Sequence, residues 1–118
     1  LKNQLKSGQR VVVVDPKGKH SVTNFQILRL FKTSTLLQAF IVTGRTHQIR
    51  VHCQSAGQPI AGDQRYGDKE YNSQLRLLGL RRLFLHASSL SFNHPITGEF
   101  FTVKAPLPRT LQKVLDRL

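Results

Sequence analysis

Short apolar runs, rich in β-branched and aromatic residues, separate polar stretches in the first third of the chain, a pattern typical of β-strands. Three runs share this composition: residues 11–14, 21–31 and 35–42. They follow a polar, basic segment at residues 1–10, and the turn signal Asp-Pro-Lys-Gly stands at residues 15–18. The alternation slips near Leu28, which indicates a β-bulge or burial on both faces. Together the runs predict an antiparallel meander.

The hydrophobic period then changes to that of a helix at residues 46–56. Thr46 is a residue type that caps the start of helices, and Gly57 is a residue type that ends them. We expect one stripe of this helix to face the sheet. It consists of Ile49, Cys53 and Ala56.

Loops, helices and strands follow one another in the second half of the chain. The pattern predicts a loop at residues 57–67, a short helix at 71–80 and two strands at 83–92 and 99–104, joined by residues 93–98. A last helix follows the two prolines at positions 106 and 108. Its apolar face consists of Leu107, Leu111, Val114, Leu115 and Leu118. The prediction is therefore one α+β unit over residues 1–118, a mixed, mainly antiparallel sheet with flanking helices.

Composition narrows the class of protein. A chain of 118 residues with 39% hydrophobic residues can form one small domain with a core. Lys and Arg number 18 against 6 acidic residues, a formal charge of +12. A surface this basic favours a polyanionic partner, first nucleic acid and second an anionic membrane. No apolar run is long enough to span a bilayer. The single cysteine, Cys53, excludes an internal disulfide and fits a reducing cytosol, so we expect a cytoplasmic protein.

Residues 44–52, Gly-Arg-Thr-His-Gln-Ile-Arg-Val-His, place two guanidiniums and two imidazoles around a predicted helix start. Side chains three residues apart share a helix face, so His47 and Arg50 can point the same way. A helix N-terminus beside arginines suits an anion, either an RNA phosphate or a carboxylate. A solvated basic face explains the same residues, and composition alone does not decide between these interpretations.

Candidate metal ligands are present, but their spacing does not match a known metal site. They are His47, His52, Cys53 and His86. They include neither two histidines four residues apart nor a pair of cysteines with zinc spacing, so we expect no metal. Cys53 lies on the predicted apolar stripe, where a buried thiol is usually inert, so we do not expect it to be a nucleophile.

Two further segments contain candidate polar residues. The loop at 57–67 has three glycines in eleven residues, which permits positive φ or a close approach of backbones. In this loop Asp63 can cap a turn, the interpretation we favour, or pair with an arginine, while Tyr66 can stack on a base or close a core. Arg81 and Arg82 enter the strand that carries His86, a residue we expect to be hydrogen-bonded structure rather than a catalyst.

Residues 44–52 resemble a signature of the pseudouridine synthases that modify large-subunit rRNA and some tRNAs. Later blocks agree in order and spacing, and they are residues 57–67, 83–87, 92–99 and 105–108. Within the family the chain is most similar to the subfamily that acts on several uridines of 23S rRNA. The insert that begins at Asp68 supports that subfamily.

The resemblance implies isomerisation of uridine to pseudouridine without a cofactor, on a base flipped out of the RNA. The family's essential aspartate lies in an upstream motif that this chain does not contain. Arg50 resembles the arginine that pairs with that aspartate, and Leu85 resembles an apolar wall beside the uracil. RNA contacts are assigned to Arg45, His47, Arg65, Tyr66 and Arg82. Relatives often have histidine at the position of Gln58, which leaves an RNA-binding role there in doubt.

The resemblance and the missing motif define the alternatives. The resemblance implies the C-terminal part of a catalytic domain whose N-terminal half lies elsewhere, and a chain without methionine fits a fragment. By itself it is then expected to be inactive, and we expect the cut edge of its sheet either to meet a partner edge or to cause self-association. The alternative is a non-catalytic basic RNA-binding module associated with the ribosome. A general DNA-binding protein has no support, since no helix-turn-helix or zinc-finger pattern is present.

Overall fold

The computed structural model describes the backbone of residues 2–6 and 9–13 and the complete residues 17–118. The turn predicted at residues 15–18 therefore lies partly outside the described residues. The elements, in chain order, are β1 (Lys2–Lys6), β2 (Gln9–Val13), β3 (Thr23–Leu30), β4 (Thr35–Ile41), α1 (Gln48–Ser55), α2 (Lys69–Arg76), β5 (Ser89–Asn93), β6 (Phe100–Lys104) and α3 (Arg109–Asp116). The predicted α+β class, with antiparallel strands and helices, is confirmed.

Strands of the described residues form three separate antiparallel hairpins, in which β1 pairs with β2, β3 with β4, and β5 with β6. The predicted meander is wrong, because β2 pairs with β1 and not with β3. The sequence indicates only a polar, basic segment at residues 1–10, yet this segment provides β1 and the first residues of β2. Backbone hydrogen bonds to a neighbouring strand do not require apolar side chains, so tertiary context overrides weak strand propensity here.

The β3–β4 hairpin contains the irregularity expected near Leu28. Ile27 pairs with Leu37 and Arg29 with Leu36, so the register shifts by one residue and Leu28 has no partner across the ladder. The bulge is confirmed, whereas burial on both faces is not, because Leu28 is 54% exposed. The hairpin leads directly into the segment that begins α1.

The strand predicted at residues 83–92 is shorter in the structure, where only β5 is a strand. The residues before it run along the loop at 57–67, and the Phe84 N–H donates to the Ala61 carbonyl at 2.9 Å. That segment uses its backbone to hold the loop rather than to extend a sheet. The hairpin turn after β5 closes through His94, whose Nδ1 accepts from the N–H groups of Ile96 and Thr97.

Helix α2 begins and ends earlier than the predicted helix at residues 71–80. Asp68 caps it, since one carboxylate oxygen accepts from the N–H groups of Glu70 and Tyr71 at 2.9 and 3.1 Å. Gly79, at φ 97°, follows its end. Helix α3 starts after Pro108 as predicted, and its buried side chains are those of Leu111, Val114 and Leu115.

The hydrophobic core lies between α2, α3 and the segment that joins them. Leu75, Leu80, Leu111 and Val114 are buried in it, and Phe84 packs against them. Burying each of these aliphatic side chains contributes roughly 1.5–3 kcal/mol. The hairpins lie outside this core, and the radius of gyration of 16.1 Å exceeds the about 13–14 Å of a compact domain of this length. No helix in the described ranges is long and apolar enough to cross a membrane.

Candidate active site

Helix α1 begins after a residue with left-handed backbone geometry. His47 is the N-cap, at φ 52° and ψ 24°, and it is the one non-glycine residue with positive φ among the described residues. The prediction that Thr46 caps this helix is wrong. A histidine in this region costs on the order of 1–3 kcal/mol, so surrounding contacts must hold it there. Backbone strain of this kind often accompanies a functional site.

Gln48 joins the start of α1 to the β3–β4 hairpin. Its side chain is 4% exposed and makes four hydrogen bonds. Oε1 accepts from the Thr43 hydroxyl at 2.7 Å and from the Arg45 N–H at 3.0 Å. Nε2 donates to the Val22 carbonyl at 2.7 Å and to the Thr23 hydroxyl at 2.8 Å. Sequence reasoning missed Gln48, although a glutamine that reaches back three residues to a backbone N–H is a known device of helix starts.

His52 extends this connection one turn further along α1. Its Nδ1 lies 2.8 Å from the Thr23 hydroxyl and its Nε2 lies 3.1 Å from the Ser21 hydroxyl. These contacts are satisfied when the Thr23 hydroxyl donates to Nδ1 and the ring Nε2–H donates to the Ser21 hydroxyl. In this assignment the ring carries one hydrogen and is neutral. Burial lowers the pKa of His52, which favours this neutral ring.

The apolar stripe predicted for this helix is wrong in detail. Gln48 and Val51 are the buried residues of α1, whereas Ile49 and Cys53 are half-buried and Ala56 is exposed. The helix meets the β3–β4 hairpin through the hydrogen-bonded side chains of Gln48 and His52. Its orientation therefore depends on hydrogen bonds as much as on apolar packing.

Arg50, on the next turn of α1, forms a bidentate ion pair with Asp63. Its Nε donates to Oδ2 and its Nη2 donates to Oδ1, both at 2.8 Å. The Asp63 side chain is fully buried, and that of Arg50 is 18% exposed. The hydrogen bond to Asp63 is the main cause that raises the pKa of Arg50. The guanidinium is thus held in one orientation, with part of it open to solvent.

Asp63 also organises the loop at residues 57–67. Its Oδ1 accepts from the N–H groups of Arg65 and Tyr66 at 3.0 Å each. Burial acts to raise the pKa of Asp63, but the hydrogen bonds from Arg50, Tyr66 and Arg65 outweigh it, and the pKa lies below its ordinary value. The turn cap that we favoured is confirmed, and the alternative pairing with an arginine is present as well.

Tyr66 connects the loop to the start of the helix. Its side chain is 5% exposed, and its hydroxyl lies 2.8 Å from His47 Nδ1. The Arg50 guanidinium carbon lies 5.0 Å from the centroid of the tyrosine ring. Burial, with the nearby charges of Arg50 and Arg65, lowers the pKa of His47, so its imidazole is neutral at pH 7. Arg50, Asp63, His47 and Tyr66 therefore form one connected cluster, called the Arg50 cluster below.

Two glycines allow the loop to approach other backbones closely, as predicted. A Cβ on Gly62 would lie 2.1 Å from the Arg82 carbonyl oxygen, and one on Gly67 would lie 2.1 Å from the Asp63 carbonyl oxygen. Asn72 of α2 clamps the same loop, since it accepts from the Gly62 N–H and donates to the Asp63 carbonyl. The shape of the loop that presents Asp63 is thus fixed from two sides.

The other predicted site residues lie around this cluster or along the neighbouring backbone. Arg45 is exposed and its Nε donates to the His20 carbonyl at 3.0 Å, and Arg65 is an exposed residue of the loop. Arg82 is exposed and donates to the carbonyls of Leu83 and Leu85, both at 3.2 Å. The Leu85 side chain is half-buried. Arg45, His47 and Arg50 lie around the start of α1, whereas Arg82 lies beside the loop through its backbone carbonyl, which is close to Gly62.

The candidate metal ligands and the thiol show no catalytic arrangement. Among residues 17–118 and the described backbone before them, no three side chains of His, Cys, Asp or Glu are grouped so that they could hold a metal. Burial raises the pKa of the Cys53 thiol, which keeps it protonated and unreactive. His86 Nε2 lies 3.0 Å from the Ala105 carbonyl, so its ring is hydrogen-bonded structure as expected.

Comparisons with known proteins match the part of the chain that contains this site. A family model described as RNA pseudouridylate synthase matches residues 2–55, a range that includes α1 and Arg50. Curated relatives extend the similarity through the loop that carries Asp63 to the end of the chain. Over its length the chain is therefore similar to RNA pseudouridylate synthases.

Three of its curated relatives carry the name Ribosomal large subunit pseudouridine synthase C. The protein from Pasteurella multocida is 53% identical over 118 residues, 100% of this chain and 36% of the relative. The one from Yersinia pestis is 54% identical over 115 residues, 98% of this chain and 36% of the relative. The one from Escherichia coli is 51% identical over 120 residues, 100% of this chain and 38% of the relative. The chain thus spans little more than a third of the length of these relatives.

Proposed function

We propose that this chain is part of an enzyme that isomerises uridines of 23S rRNA to pseudouridine. The relatives named for large-subunit rRNA support the substrate, and the family supports the reaction. The observation that carries the proposal is the guanidinium of Arg50, which Asp63 holds along one edge while another part reaches solvent. An ordered and partly exposed guanidinium is suited to receive a second anion.

The part of Arg50 that is open can be identified atom by atom. Asp63 occupies Nε and Nη2, and Nη1 has no hydrogen-bond partner among the described residues. No buried side-chain nitrogen or oxygen of the described residues lacks a partner, so Nη1 is accessible to solvent. Nη1 and the outer hydrogen of Nη2 form the end edge of the guanidinium. This edge can bind a carboxylate through two parallel hydrogen bonds.

The carboxylate that this edge would receive is the essential aspartate of the family. Its motif is absent from this chain, so another part of a longer protein would supply it. Arg50 would keep that aspartate ionised and oriented while it assists cleavage of the glycosidic bond and reattachment of the uracil through carbon 5. In the proposed site the half-buried Leu85 forms an apolar wall beside the flipped base.

RNA would be held by basic side chains around the Arg50 cluster. Arg45, Arg65 and Arg82 are exposed, and each of them can contact phosphates. His47 and Tyr66 would contribute less directly, because the histidine is half-buried and the tyrosine is buried. The formal charge of +12 supports a polyanionic substrate.

Two hairpins carry exposed apolar side chains that another part of a longer protein could cover. Ile27, Leu30, Leu90 and Phe100 are between 61% and 70% exposed, and they belong to the β3–β4 and β5–β6 hairpins. We propose that the missing N-terminal half of the catalytic domain covers them in the cytoplasmic enzyme. The isolated chain would then self-associate. Sedimentation across protein concentrations tests this, and a monomer at all concentrations would contradict it.

The function is tested with the complete gene product and unmodified 23S rRNA. Carbodiimide treatment followed by reverse transcription should reveal new stops at specific uridines after incubation with the protein. The same assay on the isolated chain should give no stop above the level without protein. Specific RNA binding by the complete protein without any new stop would favour the non-catalytic RNA-binding module instead.

A further inference from the structure

We propose that Asp63 is a positioning residue for the reaction, because it sets the guanidinium of Arg50 so that the end edge faces the incoming catalytic carboxylate. This inference rests on the proposed function and adds a second acidic residue to the site. Asp63 is fully buried and does not itself meet the substrate. It acts through Arg50.

The two edges of the guanidinium explain how one arginine can serve two carboxylates. The side edge consists of Nε and Nη2, and the end edge consists of Nη1 and Nη2. Asp63 takes the side edge with two bonds of 2.8 Å and leaves the end edge open. A carboxylate at the end edge could therefore bind without displacing Asp63.

Asp63 can hold the guanidinium of Arg50 in one orientation because hydrogen bonds hold Asp63 itself in place. The N–H groups of Arg65 and Tyr66 both donate to its Oδ1, and the Asn72 amide donates to its backbone carbonyl. The ring of Tyr66 lies near the guanidinium and restricts it further. The rest of the Arg50 side chain is anchored on α1. These constraints leave the guanidinium little freedom to turn towards solvent or phosphate.

The charge of Asp63 gives the arrangement a second effect. The negative charge of Asp63 already neutralises the positive charge of Arg50. A second carboxylate at the end edge is therefore oriented by hydrogen bonds but is stabilised less by charge. An ion pair with a lone arginine would stabilise that carboxylate more strongly and make it less reactive. Among the described residues, the ionisable side chains of His47, Cys53 and Tyr66 also interact electrostatically with Asp63 or Arg50.

The variant Asp63→Asn separates the positioning role from the role in the loop. An asparagine oxygen can still accept from the N–H groups of Arg65 and Tyr66, so the turn keeps its cap. The amide nitrogen would face Arg50 Nε, donor against donor, and the side-edge ion pair would be lost. The matched control is Asp68→Asn, which makes the same chemical change at the exposed cap of α2.

Single-turnover rates on 23S rRNA are measured for the complete gene product at saturating enzyme, together with RNA affinity. We expect Asp63→Asn to lower the plateau rate about tenfold to a hundredfold, the scale of a misplaced catalytic group, with RNA affinity unchanged or higher. Asp68→Asn should keep both values. A plateau rate for Asp63→Asn equal to that of Asp68→Asn would overturn the proposal.

A double-mutant cycle shows whether Asp63 acts through Arg50. In an Arg50→Lys background the side-edge pair is already absent, so adding Asp63→Asn should lower the rate less than about twofold. If Asp63→Asn instead lowers the rate by the same factor in the Arg50→Lys background as in the wild type, Asp63 does not act through Arg50 and only supports the fold. That result also overturns the proposal. If Asp63→Asn is unfolded at the assay temperature, Asp63→Glu replaces it, and a normal plateau rate of that folded variant is equally decisive. Failure of the proposed function would instead appear as an inactive wild-type protein.

Discussion

Arg50 and Asp63 illustrate how a single ion pair can have structural and chemical consequences. Taking the Asp63 carboxylate fully out of water is costly, and its two bonds to Arg50 and two bonds to backbone N–H groups offset that cost. Removing one partner of such a pair usually costs about 3–5 kcal/mol, because the other charge remains buried. A substitution of Arg50 therefore needs a test that separates chemistry from folding.

Replacement of Arg50 should affect the rate of chemistry more than RNA binding. We expect Arg50→Ala to lower the single-turnover rate of the complete enzyme at least about a hundredfold, the scale of a lost electrostatic contact in a transition state. Arg50→Lys should restore activity only partly, because an ammonium cannot make the bidentate pair. Circular dichroism verifies folding, and Arg45→Ala is the control that should weaken RNA binding more than the rate. Normal turnover of Arg50→Ala at saturation, with weaker RNA binding, would make Arg50 a phosphate contact.

Acid should destabilise the region around α1 in two stages. His47 and His52 have pKa values lowered by burial, so protonation favours the unfolded state, and stability should begin to fall as the pH drops below about 6.5. Asp63 has a pKa below its ordinary value, so its contribution persists above about 3.9 and disappears as the pH falls further through its folded pKa.

Thermal unfolding of the complete protein between pH 8 and about pH 2 measures both stages, because the second stage lies below the ordinary pKa of an aspartate. A variant that combines His47→Gln with His52→Gln should lose much of the dependence between pH 7 and pH 5. It should keep the steep loss at lower pH. An unchanged slope between pH 7 and pH 5 in that variant would show that these histidines do not control stability there.

Helix α1 is placed by its polar contacts with the β3–β4 hairpin. Gln48 is buried and bonded to Thr43, Arg45, Val22 and Thr23. Replacing it with alanine would leave buried backbone and hydroxyl groups without partners, which costs about 1–3 kcal/mol for a buried group. Since Arg50 lies two residues later on the same helix, a loosened helix start would also disturb the Arg50 cluster.

Gln48→Ala should therefore raise hydrogen exchange in α1. A loss of about 2 kcal/mol in local stability corresponds to roughly thirtyfold faster exchange of the backbone amides of this helix. Exchange in α3 should stay unchanged, because its residues pack in the core between α2 and α3. The matched control is Gln54→Ala, an exposed glutamine of the same helix. Equal protection of α1 in both variants would show that the Gln48 bonds do not hold the helix.

The sequence predicted some elements well because their signals are local. The helix after Pro108, the bulge at Leu28 and the loop with close-approach glycines each follow from residues near one another in the chain. The strand at residues 2–6 and the pairing of β2 were missed, because strand pairing depends on neighbours that hydropathy does not specify.

The site was predictable only in part, for a similar reason. The resemblance singled out Arg50, and turn chemistry singled out Asp63, but their spacing of thirteen residues does not reveal that they touch. Gln48 was missed because a buried amide with four partners looks, in a sequence, like any polar residue of a helix. The left-handed geometry of His47 was also missed, since Thr46 offered the stronger capping signal.

The whole molecule combines an excess of positive charge with hairpins that lie outside its core. The formal charge is +12, and the basic residues proposed to bind RNA, Arg45, Arg65 and Arg82, are exposed. The exposed apolar residues of β3–β4 and β5–β6 lie on elements that do not contribute to the core. Electrostatic attraction to phosphates would therefore determine most of the RNA affinity of this chain alone. Selection of particular uridines would require the complete enzyme.

Binding of RNA by the isolated chain should be weak, depend little on sequence and weaken steeply with salt. Each phosphate neutralised by Lys or Arg releases counterions, so the logarithm of the association constant should fall linearly with the logarithm of salt concentration. Three to five phosphate contacts would give a slope of about −2 to −3.5 on single-stranded RNA. Filter binding from 50 to 300 mM salt, with a 23S rRNA fragment and a scrambled RNA of equal length, measures slope and preference together.

Arg45→Ala and Arg82→Ala should each reduce the magnitude of the slope by somewhat less than one, while Gln54→Ala should leave it unchanged. A flat salt response would contradict binding through phosphates, and a strong preference for the 23S fragment would show that this chain alone reads its substrate.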